Sequence, residues 1–132
     1  MAHPLPSVIR SAPRRRFDQL GVGLAGLCAL HCLLSILFVS GFAVGGHFLL
    51  APEIHRIGLV LAIAVAALAI GWGALVHRRA APLAIALAGL ALMGVALILP
   101  HGQGEFAATL VGVALVAAGH LINLRAVRRF QN

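Results

Sequence analysis

Four long uncharged runs dominate this chain: Leu20–Val44, Ile57–Val76, Pro82–Leu99 and Phe106–Leu124. Each is close to the roughly 20 residues a helix needs to cross the hydrocarbon core of a bilayer. No water is available there to satisfy backbone N–H and C=O groups, so a spanning segment of this length must be helical. With 61% hydrophobic and 10% charged residues, the chain lies outside the soluble range. The expected fold is therefore all-α, a membrane protein of four transmembrane helices. It divides into an N-terminal tail (1–17), a four-helix domain (18–125) and a C-terminal tail (126–132). The first run is far longer than the roughly 7–15 residues of a signal-peptide core, so it is expected to be retained as a span.

Arginine placement supplies the orientation, because positive residues flanking short spans favour the cytoplasmic side. Arg10, Arg14, Arg15 and Arg16 precede the first run, Arg78 and Arg79 separate the second from the third, and Arg125, Arg128 and Arg129 follow the fourth. Only Arg56 falls on the other side. Both termini are thus expected in the cytoplasm, with the chain in a bacterial inner membrane. The net charge of +7 sits in short juxtamembrane clusters without interleaved aromatics, which argues for topology and lipid headgroups and against nucleic acid. The chain has no lysine and no phosphate-binding glycine loop, and no aqueous domain large enough to hydrolyse ATP. No carboxylate falls inside the apolar runs, and Ser35 and Ser40 lack a general base, so an enzyme is not expected.

The chemistry concentrates at Cys28-Ala-Leu-His31-Cys32, which holds both cysteines of the chain. Residues three and four apart share one helix face, so two thiols and an imidazole converge inside a hydrocarbon-length segment. A lone cysteine here would read as a small packing residue; two in register with a histidine form the donor set that selects soft metals. A disulfide is disfavoured, because Cβ atoms four apart on a helix are about 5–6 Å from each other, against roughly 3.5–4.5 Å in a bridge. The same spacing suits two sulfurs gripping one ion, linearly for Hg(II) or Cu(I), or with His31 as third ligand for Zn(II). Two thiolates cancel a dication's charge and reduce the cost of holding it in low dielectric.

Small and polar residues select the helix faces. Gly21, Ala25, Cys28, Cys32 and Ser35 form a stripe on the first helix, and Thr109, Gly112, Val116, His120 and Asn123 form one on the fourth. Such stripes favour close helix contact in lipid, and these two helices are the expected partners. At a rise of ~1.5 Å per residue, Cys28 lies about 12 Å and His120 about 6 Å above their cytoplasmic ends. His120 is therefore expected to approach Cys28 and His31, with Asp18 and Asn123 meeting nearer the cytoplasmic surface. His3, His47, His55, His77 and His101 fall in tails or at boundaries, where amphipathic rings ordinarily reside, and Trp72 reads as an interfacial anchor. His47 and His55 share the outer loop with Glu53, where an entering metal would meet them first.

Asp18-Gln-Leu-Gly21, Cys28-Ala-Leu-His31-Cys32 and Gly119-His120-Leu-Ile-Asn123-Leu-Arg125, within a four-span layout, resemble the MerC family of small bacterial membrane proteins. The likeness covers roughly residues 17–129, and the end motifs are its specific part. It implies mercury resistance and inward transport of mercuric ion, with the helix-one cysteine pair as membrane relay. The chain departs from the mercury-transporter pattern in the spacing of its cysteines, in having no second pair in the C-terminal tail, and in lacking a proline after Cys32. The expected metal ligands are Cys28, His31, Cys32 and His120, with Asp18 and Asn123 as accessories. The cargo is a soft metal, Hg(II) first, then Cu(I) or Zn(II). Expected partners are the bilayer and either a second copy or a periplasmic or cytoplasmic metal carrier. Two other readings remain open: a haem-binding electron-transfer protein ligated by His31 and His120, and a metal-sensing or accessory subunit that does not transport.

Overall fold

The computed structural model of the chain describes residues 7–42 and 51–131. Among these residues the ordered elements are all helical: α1 (Ser7–Phe42), α2 (Pro52–Ala66), a π-helical turn (Ala67–Gly71), α3 (Trp72–His77), α4 (Ala81–Ala96) and α5 (Gln103–Gln131). The segments from α2 to α3 run on as one rod, so four rods correspond to the four apolar runs. Arg15–Phe38, Pro52–His77 and Gln103–Arg129 are long and apolar enough to cross a membrane, and α4 is a shorter apolar helix. Its 16 residues reach about 24 Å.

Local signals set several of these boundaries. Pro52 and Pro82 occupy the first turns of α2 and α4, where a missing N–H costs nothing, and Glu53 adds a negative charge at the positive end of α2. Arg78 adopts a left-handed conformation (φ 52°) that stops α3. Both α1 and α5 continue past the apolar runs into the segments read as tails. Arginine is a good helix former, and Ala126 and Val127 remain buried on the extension of α5.

The helix α5 is central, packed against α4 along one side and α1 along another. The α4 contact brings backbone against backbone: a Cβ on Gly89 would lie 2.6 Å from the Gly112 carbonyl oxygen, and one on Gly112 would lie 2.8 Å from that of Gly89. The α1–α5 pairing expected from the small-residue stripes is present too, with Gly21, Ala25, Cys32 and Ser35 buried from α1. The stripe Pro82, Ala86, Gly89, Met93 and Ala96 brings α4 to the same helix and shows the same spacing of three and four. Polarity is arranged inside out. Asp18, His120 and Asn123 are buried, while Leu27, Leu30, Leu33 and Leu37 of α1 face outward. That is the arrangement a hydrocarbon surround favours.

Candidate functional site

Two polar clusters sit at different levels along α1. The first surrounds the cysteines. Cys28, His31 and Cys32 line a cavity of about 270 Å³ together with His55 from α2, Met93 from α4 and Thr109 from α5. The helix α2 borders the site at Gly58, where a Cβ would stand in ordinary van der Waals contact with the Cys28 sulfur at 3.7 Å. Both cysteines are free thiols, Cys32 fully buried and Cys28 half-buried. The His31 and His55 rings meet edge to face at 5.5 Å between centroids. Ser35 donates its hydroxyl to the His31 carbonyl at 2.8 Å, which ties the polar side of this turn to the helix itself. Glu105, one turn before Thr109 on α5, is 7% exposed with Oε2 lacking a hydrogen-bond partner among the described residues, and it lies within electrostatic reach of Cys32.

The second cluster joins α1, the π-helical turn, α3 and α5. The Nδ1 of His120 donates to Asp18 Oδ1 at 2.8 Å, and Asn123 Nδ2 donates to Asp18 Oδ2 at 2.8 Å and to the Ala69 carbonyl at 3.3 Å. That carbonyl belongs to the π-helical turn, where the α-helical hydrogen-bond ladder is interrupted. The Asn123 Oδ1 in turn accepts from His77 Nε2 at 2.9 Å. The tautomer follows from the far side of that ring, where His77 Nδ1 accepts the Arg79 N–H at 3.1 Å, leaving Nε2 to carry the proton. His120 is 0% exposed, and its Nε2 has no hydrogen-bond partner among the described residues. Its ring lies directly on α1 at Gly21, where a Cβ would run into the imidazole.

The expected site residues thus fall into two groups. The structure brings Cys28, His31 and Cys32 around one cavity, and it places His120 with Asp18 and Asn123. A crevice of about 10 Å³, at the limit of one water molecule, is lined by both Cys28 and His120, with Met93 along its wall. Among the described residues no group of three or more His, Cys, Asp or Glu side chains is arranged to hold a metal ion. His3 and His47 lie outside the described residues.

Three features were not singled out from sequence as parts of a site: Met93, Glu105 and His77. Met93 contributes to the cysteine cavity beside His55, which was expected in the outer loop where an entering metal would meet it, and His77 completes the Asp18 network. Glu105 is buried although it precedes the apolar run, because α5 begins at Gln103; Asp18 is buried likewise within α1. The apolar runs themselves hold no carboxylate, as expected, but the helices extend beyond them and bury Asp18 and Glu105 just outside. A signal for Glu105 existed in its spacing of four from Thr109 on one helix face.

No curated protein and no solved structure matches the chain. A family model described as MerC mercury resistance protein matches residues 18–125. With most of its length under that match, around both the cysteine motif of α1 and the Asp18–His120–Asn123 cluster, this multi-pass membrane chain belongs to the MerC mercury resistance family.

Proposed function

We propose that the protein carries a soft metal ion, Hg(II) first, across the bacterial inner membrane by exchange onto the cysteine pair of α1. One observation carries this reading: two unbridged thiols and two imidazoles line a single cavity inside a lipid-embedded bundle. An ion arriving with labile ligands exchanges them for Cys28 and Cys32. Two Hg–S bonds replace the two S–H bonds, and the protons leave with the displaced ligands. The product is an electrically balanced dithiolate, which low dielectric tolerates far better than a bare dication. Ligand-for-ligand exchange then moves the ion without ever freeing it. His31 and His55 stand beside the sulfurs as further donors, and the Glu105 carboxyl near Cys32 adds an acceptor favourable to an approaching cation.

The haem reading gains nothing from this geometry, since His31 lines the cysteine cavity while His120 borders a separate crevice of only about 10 Å³, far too small for a porphyrin. The arginine-flanked ends Asp18, His77 and Asn123 are joined by one network, consistent with both termini lying in the cytoplasm and the cysteine cavity lying toward the outer face. The test is cellular accumulation of Hg(II) together with its binding to the detergent-purified chain. Wild type should raise accumulation and bind one ion per chain at the cysteines. Cys28→Ala and Cys32→Ala should each return accumulation to the level of cells lacking the protein. Accumulation indifferent to both substitutions would overturn the reading.

A further inference from the structure

We propose that the crevice between Cys28 and His120 holds a second soft-metal position, with His120 Nε2 and the Met93 thioether as its donors and Asp18 as the residue that orients the imidazole. The inference rests on the reading of the chain as a soft-metal carrier and adds an inner station to it.

Three observations converge on this position. First, His120 is wholly buried with Nε2 unpartnered among the described residues, an arrangement a native interior rarely leaves without a use. Second, its Nδ1 donates to a carboxylate, which fixes the tautomer and leaves the Nε2 lone pair as the open donor. That carboxylate–imidazole pairing is the usual support behind a metal-ligating histidine. Asp18 is itself held on its other oxygen by Asn123, so the ring has little freedom to turn away. Third, Met93 lines both the cysteine cavity and the crevice, so a side chain carrying a soft thioether borders the sulfur pair and the imidazole alike. Gly21 and Cys28 are seven residues apart on α1, which separates the two stations by about 10 Å along the helix axis.

Charge defines the ligand class. Imidazole and thioether are neutral, and the one compensating charge is that of Asp18. The position therefore suits a d10 ion of net charge +1: Ag(I), Cu(I), or Hg(II) that retains one thiolate. Each donor contributes a lone pair, and neither a proton nor an electron changes hands.

The test titrates Ag(I) into the detergent-purified full chain carrying Cys28→Ala and Cys32→Ala, labelled with 15N-histidine and 13C-methyl methionine. The His120 Nε2 and Met93 methyl resonances should move together within the first equivalent. Met93→Leu, which conserves volume, should weaken binding severalfold, and Asp18→Asn should weaken it by about 10–100-fold with helix content unchanged. An unmoved His120 Nε2, or an affinity indifferent to both Asp18→Asn and Met93→Leu, would overturn the proposal. Because the cysteines are absent and nothing is transported, this result is independent of the accumulation assay: either experiment can fail while the other succeeds.

Discussion

Gly21 and Gly23 lie two residues apart on α1, yet their missing side chains mean different things. A Cβ at Gly21 would enter the His120 ring, whereas one at Gly23 would meet nothing within 4 Å. His120 cannot yield easily, because Asp18 holds Nδ1 and the ring is fully enclosed. Gly21→Ala should therefore cost about 1–3 kcal/mol by overpacking, and should displace His120 from Asp18. Gly23→Ala should be neutral or stabilising by up to about 1 kcal/mol, the helix-propensity gain of alanine over glycine. Unfolding titrations in mixed detergent compare the pair directly, and equal effects would mean that the ring does not rest on α1. The same logic makes Gly73 a fixed point, since a Cβ there would strike the Asn123 amide.

At the scale of whole helices, the α4–α5 crossing depends on backbone meeting backbone. The atom facing a Cβ at Gly89 is the Gly112 carbonyl oxygen, which no rotamer change can move aside, whereas Gly94 on the same helix faces open space. Gly89→Ala should force the helices apart and cost about 1–3 kcal/mol, with Gly94→Ala as the harmless control. A crossing tolerant of Gly89→Ala would show that α5 is held chiefly by α1. Much of this level was legible in the sequence. Four apolar runs gave the rods, and residues spaced by three and four marked the buried faces of α1 and α5. Asp18 and Asn123 do meet, at the arginine-flanked end where their depths along α1 and α5 place them. What was not legible depends on where rods end and how they rotate. Glu105 precedes the apolar run and joins the bundle only because α5 starts at Gln103, while the meeting of His55 with His31 and the place of Met93 on two cavities depend on how α2 and α4 are rotated. The π-helical turn left no mark among Ala67, Leu68, Ala69, Ile70 and Gly71 that distinguishes it from ordinary apolar helix.

Across the whole molecule, orientation decides what the two polar clusters mean. The network linking Asp18, His120, Asn123 and His77 gathers the ends that carry Arg15 and Arg16, Arg78 and Arg79, and Arg125, Arg128 and Arg129. The cysteine cavity is lined by Ile54, His55 and Ile57 from the start of α2, beside Arg56, the one arginine of the other end. Positive residues resist translocation, so the arginine-rich end should remain cytoplasmic, making the cysteine pair the outer station and His120 the inner one. Single cysteines placed on a Cys28→Ala, Cys32→Ala background report this without disturbing an arginine: Ala80→Cys beside Arg79, and Gly104→Cys, where a Cβ meets none of the described residues at the start of α5. A membrane-impermeant maleimide should label Gly104→Cys in intact spheroplasts, and Ala80→Cys only after the membrane is opened. The reverse pattern would put the imidazole station outside and the thiols inside. An ion entering from outside would then meet neutral donors before thiolates, a sequence suited to trapping it at the cytoplasmic face, and an inward relay from the cysteine pair to His120 would have its two stations in the wrong order.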